Sequence, residues 1–221
     1  MHEWINDDCF NIFPSLETGS AQLIFTSVPD LNDLGMDEDV EKYETYINSA
    51  LSEFARITND NGFIALCQTD RKINAQIYSK HSILIQMMRD FGYVLKDYKI
   101  IVKNIDSKDQ YKFPYQHLCV FTRKGTITSS GSWLRHIFIY DMKKSEIGPF
   151  YNWNPDFVKL VIGSLTQENQ LVIDPFAGSG IVPYIAKEMN RQYLGIEIDE
   201  RLYKARTMVP HSSLSDFFET K

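Results

Sequence analysis

No apolar run in this sequence approaches the roughly 20 residues that span a bilayer. The opening MHEWINDDCF carries acids where a secretory leader would carry a basic stretch ahead of an apolar one. The reading is a cytoplasmic (or nuclear) protein with no membrane partner. Cysteine is scarce: Cys9, Cys67 and Cys119 are far apart, odd in number and set among apolar residues. That excludes a disulfide framework and a cysteine–zinc spacing and leaves reduced core thiols, with no metal site indicated. Internal repeats are missing, as is any linker rich in Pro, Gly or Ser, so 221 residues read as one compact domain. What is present, 43% hydrophobic and 24% charged residues, excludes a disordered or fibrous chain.

A general surplus of basic charge is also lacking, since the net charge is −6, but the distribution is uneven. Residues 1–60 hold 13 acids and two bases, whereas residues 96–144 hold ten bases and four acids. A local basic region can concentrate a polyanion even on an acidic protein, so 96–144 is the expected nucleic-acid face, with scattered solvated lysines as the alternative.

Short apolar runs alternate with longer amphipathic ones, the pattern of an α/β fold. AQLIFTSV (21–28) and GFIALCQ (62–68) read as strands flanking a helix from Val40 to Ile57, and a second helix is expected over Ser79–Phe91. GYVLKDYKIIVKN and HLCVFTRKG read as an antiparallel pair around a polar turn at 106–112. Asn154-Pro155 suits a helix start, and QLVIDPFAGSG, a helix through Met189 and RQYLGIEID form a strand, glycine turn, helix, strand unit.

That unit carries the sharpest local signal. Small residues in Asp174-Pro175-Phe176-Ala177-Gly178-Ser179-Gly180 allow a ligand close to the backbone where a strand ends, and Glu197 at the tip of the next strand suits both hydroxyls of a ribose. Asp174 would repel a pyrophosphate and favour a cationic amine, which points to an adenosine cofactor other than a dinucleotide.

Those seven residues, followed by Tyr193-Leu194-Gly195-Ile196-Glu197, resemble the S-adenosylmethionine-binding motifs of the permuted, β-type DNA amino methyltransferases (N6-adenine/N4-cytosine). The resemblance implies a doubly wound, Rossmann-like, seven-stranded, mostly parallel sheet of the class I methyltransferase type, circularly permuted, with an antiparallel hairpin. It implies one domain over 1–221, with an acceptor half (1–123), a short connecting insert (124–150) and a cofactor half (151–221). It further implies that Asp8, in Ile5-Asn6-Asp7-Asp8-Cys9, contacts the adenine, and that Thr26 and Asn154, ahead of the acceptor motif and of the helix before the glycine turn, lie at the cofactor.

Two departures separate this chain from the family pattern. The family's acceptor motif is Asp, Asn or Ser, two prolines and an aromatic that stacks on a flipped base; here Ser27-Val28-Pro29-Asp30 stands in its place. Ser27 and Pro29 can still accept hydrogen bonds from an amine, Asp30 cannot stack, and a branch of the family with Thr-Ser-x-Pro-Asp also resembles this chain at Asp70, Lys80, Tyr115 and His117. These four are the expected acceptor-binding residues. The insert, 124–150, is too short for a separate reading head, so recognition would fall to an RNA or single-stranded target, a second copy or a recognition subunit. The expected function is methyl transfer from S-adenosylmethionine to an exocyclic amine of a DNA or RNA base. The alternatives are a catalytically silent binding subunit and an enzyme for a small non-nucleic acceptor.

Overall fold

The computed structural model describes residues 1–36, 39–103, 113–127, 131–140 and 153–208, with side chains as far as 204. Among these residues, ten strands and six helices follow in chain order: β1 (His2–Asn6), α1 (Cys9–Ile12), β2 (Ala21–Thr26), α2 (Val40–Ile57), β3 (Thr58–Gln68), β4 (Arg71–Ile73), β5 (Gln76–Tyr78), α3 (Lys80–Asp90), β6 (Val94–Val102), β7 (Tyr115–Thr122), β8 (Ile137–Ile139), α4 (Pro155–Leu165), β9 (Leu171–Asp174), α5 (Ile181–Glu188), β10 (Gln192–Glu197) and α6 (Glu200–Met208).

Eight strands form one sheet in the order β1-β10-β9-β2-β3-β7-β6-β8. The run from β1 to β3 is parallel, β7 is antiparallel to both β3 and β6, and β8 runs parallel to β6. The expected seven strands are thus present, and three residues of the connecting insert add an eighth at the edge. The strand order reverses between β9 and β2, because the chain goes on from β2 to β3 on one side and from β9 to β10 on the other. In open α/β sheets such a switch point leaves a crevice at the carboxyl ends of the strands.

Alternation along the central strands fills two cores. Ile24, Ile64, Leu66, Cys119 and Phe121 face α2 and α3 through Tyr43, Ile47, Leu51, Phe54, Leu84 and Met88. Leu23, Phe25, Ala65, Cys67, Leu118 and Val120 face α4 and α5 through Phe157, Val161, Ile162, Val182 and Ile185. A strand covered on both faces must be apolar at every position, which is why 21–28 and 62–68 read as unbroken runs. All three cysteines are buried and free, as the composition suggested.

Local chemistry fixes the element ends. Asn154 accepts from the Asp156 N–H at 2.9 Å and Pro155 occupies the first turn of α4. Gly180 caps α5 in the left-handed conformation, φ 73°. At Gly195 a Cβ would lie 2.6 Å from the Trp4 ring and 2.8 Å from Pro183, so only glycine lets β10 pass between β1 and α5. The expected polar turn at 106–112, with Lys108, Tyr111 and Lys112, lies outside the described residues. No helix among the described residues is long and apolar enough to cross a membrane.

Candidate active site

At the carboxyl edge of the parallel strands lies a cleft of about 550 Å³. It gathers Asp8 from the end of β1, Ser27 to Asp30 from the end of β2, Pro175 and Phe176 after β9, and Glu197 at the tip of β10. Eight of the residues singled out from sequence, Asp8, Ser27, Val28, Pro29, Asp30, Pro175, Phe176 and Glu197, thus line one cleft. The cleft also takes Tyr46, Asp33, Asp199 and Arg201, which no motif had marked.

Glu197 is 8% exposed. One carboxylate oxygen accepts the Gly178 N–H at 2.6 Å and the other the Asp199 N–H at 2.7 Å. Burial holds its pKa above the ordinary glutamate range, against the pull of those two N–H groups. Each oxygen keeps a second lone pair, so the group remains able to receive two hydroxyls. The glycine turn stays open: Gly178 has φ +52°, and a Cβ built on it meets nothing within 4 Å. Asp174 lies behind the turn, 4% exposed, with Oδ1 accepting the Phe176 N–H at 3.3 Å. Burial pushes its pKa up to about 7, although the adjacent Thr26 hydroxyl and the Phe176 N–H favour the charged form. Thr26 itself is fully buried, and its Oγ1 finds no hydrogen-bond partner of good geometry among the described residues. Asp8 caps α1 through the Phe10 N–H at 3.0 Å. Asn154 serves its own helix and is not among the cleft residues.

The segment after β2 is held from two sides. Gln68 donates from Nε2 to Ser27 Oγ at 3.3 Å and to the Val28 carbonyl at 3.4 Å, and the Tyr43 hydroxyl donates to the Pro29 carbonyl at 2.9 Å. Asp30, expected to face an acceptor, instead engages both oxygens with cations: Lys80 Nζ at 2.5 Å and the Arg71 guanidinium. Lys80 is 2% exposed. Burial, and after it Arg71, press its ammonium downward, against Asp33, Asp70 and the Asp30 carboxylate itself. Lys80, expected to bind the acceptor, stands here as the counter-ion of Asp30.

Asp70, His117 and Tyr115 lie beyond Gln68, across β3 and β7. Gln68 pairs with His117 in the sheet register. Asp70 contacts His81 Nδ1 at 2.9 Å, and Tyr115 lies edge-on to His117 at 5.3 Å between ring centroids.

The basic region is more divided than its composition implied. Lys99 is 1% exposed, donating to the carbonyls of Trp133 at 2.7 Å and Arg135 at 3.0 Å. Lys103 donates to Thr69 Oγ1 at 3.0 Å. Arg123 and Lys124 pair with Asp60 near the start of β3, the sheet edge opposite the cleft. Trp133, within the same region, is core at 2% exposure. Lys143 and Lys144 lie outside the described residues.

Residues 108–207 match the family model described as DNA methylase, N6_N4_Mtase. Over that stretch, a little under half of its length, the chain is similar to the N6/N4 DNA methylases. Type II methyltransferase M.HindIII of Haemophilus influenzae is 46% identical over 48 residues, 22% of this chain but 16% of that protein. YubD of Escherichia coli is 22% identical over 210 residues, 93% of this chain and 88% of its own length. Among solved structures, TTHA0409 from Thermus thermophilus, complexed with S-adenosyl-L-methionine, superimposes with a TM-score of 0.75 at 19% identity, covering 93% of this chain and 91% of that one.

Proposed function

We propose that this chain transfers the methyl group of S-adenosylmethionine to an exocyclic amine of a base in DNA. The observation that carries the proposal is the meeting, at one sheet edge, of Glu197, the open Gly178 turn and the Ser27-Val28-Pro29 segment. The residues present suit the cofactor. Glu197 has lone pairs for two ribose hydroxyls, Asp8 offers a carboxylate at the end of β1 for the adenine amine, and Asp174 with Thr26 beside it suits the methionine end. Pro175, Phe176, Ala177, Ser179 and Gly180 shape the turn, and Asn154 fixes the start of α4 beside it. When bound, S-adenosylmethionine supplies an electrophilic methyl group on a sulfonium.

The chain's own part is alignment. Ser27 Oγ and the backbone carbonyls beside it accept hydrogen bonds from the amine, leaving its lone pair directed at the methyl group. Gln68 and Tyr43 lock those acceptors in place. Asp30, neutralised by Lys80 and Arg71, positions this segment and does not itself act as a base. Tyr115, half-buried at the start of β7, would stand in for the missing stacking aromatic. We take 1–221 as one domain divided at 124–150. With so short an insert, sequence reading falls to a second copy or a recognition subunit. DNA methylation agrees with a cytoplasmic or nuclear location.

The test is transfer of labelled methyl groups to duplex DNA, single-stranded DNA and RNA, run beside calorimetric titration of the cofactor with wild type and Glu197→Ala. Label in DNA with cofactor binding lost in the variant is the expected result. Cofactor binding without label in any polymer would move the assignment to a small acceptor or a silent subunit, and label confined to RNA would overturn the substrate.

A further inference from the structure

Beside the proposed acceptor loop, three side chains from three elements converge without a charge partner adequate to explain all of them. Asp70 follows β3, His81 opens α3 and His117 sits on β7. One ligand atom from each falls within 4.8 Å of the others. Asp70 is 6% exposed and His117 5% exposed. His81 Nδ1 lies 2.9 Å and 3.1 Å from the two Asp70 oxygens. The imidazoles of His81 and His117 are stacked, 3.8 Å between centroids and 17° apart. His117 Nδ1 is held by the Tyr98 hydroxyl, and its Nε2, 3.5 Å from Asp70 Oδ2, is buried with no hydrogen-bond partner among the described residues.

A buried ring nitrogen left unpaired forfeits its hydration without return, so its presence among other ligand types calls for a partner. We infer that Asp70, His81 and His117 form a site for a divalent first-row transition ion, with zinc the representative member.

The chemistry of the donor set agrees. Two imidazoles and one carboxylate suit such an ion, and a site with three protein ligands keeps further positions for water or a fourth donor. Ser79 Oγ, 3.2 Å from His81 Nδ1 and 3.5 Å from Asp70 Oδ2, stands next to them. The Tyr98 hydroxyl supplies the outer contact that metal-bound histidines usually have, fixing the ring so that Nε2 faces inward. The neighbouring cations Arg71 and Lys80 are engaged by Asp30. An ion here would join the end of β3 and the first turn of α3 to β7, bracing the segment that carries Lys80 and Arg71 onto Asp30. The inference stands apart from the methyl-transfer reading and holds for a silent protein equally.

The test uses the full chain, stripped with a chelator, dialysed, and titrated with Zn²⁺ by calorimetry and with Co²⁺ by visible absorption. Expected are one equivalent per chain, ligand-field bands from a low-symmetry cobalt site and a melting midpoint raised by zinc. His81 is the residue to change, because its partial exposure lets His81→Ala fold where His117→Ala would leave a cavity. His81→Ala should weaken zinc at least tenfold and abolish the cobalt bands, while His136→Ala, at an exposed position, leaves both unchanged. Absence of stoichiometric binding in the wild type would overturn the inference. Undiminished binding in a folded His81→Ala protein would overturn it equally.

Discussion

Asp174 and Asp30 are both acids at strand ends, yet their surroundings set them opposite tasks. Asp174 has no cation beside it among the described residues, and burial raises its pKa from 3.8 to about 7. A carboxyl whose folded pKa exceeds its unfolded value favours folding least when ionised, so the ligand-free protein loses stability as pH rises from about 4 to about 7 and then levels off. Asp174→Asn removes that dependence. Denaturant titration should find the variant more stable than wild type by about 4 kcal/mol at pH 8 and close to it near pH 4. In the same variant cofactor affinity should fall and lose its increase between pH 5.5 and 7.5, because only the ionised acid attracts the cofactor's amine. Asp30 has its cations already. Asp30→Ala strands the buried Lys80 ammonium and should cost about 2–3 kcal/mol by thermal melting, whereas Lys80→Met, which leaves Asp30 with the partly exposed Arg71, should cost less than about 1 kcal/mol. Any loss of methyl transfer in Asp30→Ala therefore needs to be read well below its melting temperature. At this scale the sequence pointed to Asp8, Ser27 and Glu197, which line one cleft, because they stand in contiguous motifs at strand ends. It hid the partners of Asp30 and Asp70, because Arg71 and His81 reach them only through the hairpin and α3, a path that leaves no local pattern.

Among the elements, legibility followed burial. β2, β3, β9 and β10 are covered on both faces, so their apolar runs stood out, and α2 and α4 carried clear helical spacing. β1 was recognised only by its motif, since HEWIN is exposed or half-buried along its length and shows no apolar run. The β4–β5 hairpin escaped notice because its turn uses Asn74 and Ala75, with φ of 50° and 63°, where an Asn-Gly pair would have announced it. Three-residue strands of mixed polarity have little else to offer. Two glycines separate packing from binding at the element level. Gly195→Ala drives a Cβ into Trp4 and Pro183 and should destabilise by about 1–3 kcal/mol in thermal unfolding. Gly178→Ala meets only open space and left-handed strain. It should cost about 1 kcal/mol, yet cofactor affinity, read by calorimetry, should fall at least tenfold, because the new methyl group projects where the ligand approaches the turn.

For the whole molecule, the strand order places the first and last strands side by side: β1 pairs with β10, so the acid of the first motif and the acid of the last share one cleft. That closure follows from motif order, but the direction of the basic region does not, because charge counted along a chain says nothing of which sheet edge it reaches. β6 and β7 run antiparallel to each other, so the cations between 96 and 124 alternate between the two edges. Arg123 and Lys124 fall at the edge away from the cleft, and with Asp60 eight residues before Gln68 on β3 the separation is roughly 25 Å. DNA lying across the cleft cannot reach them at that distance. Filter binding with a short duplex across a salt series should accordingly show affinity falling with salt in the wild type. Arg123→Ala and Lys124→Ala should retain that slope and bind within about twofold. A slope reduced by one unit in either variant would mean that the duplex wraps the far edge of the sheet, and the acceptor loop at Ser27 would then not be where it is held.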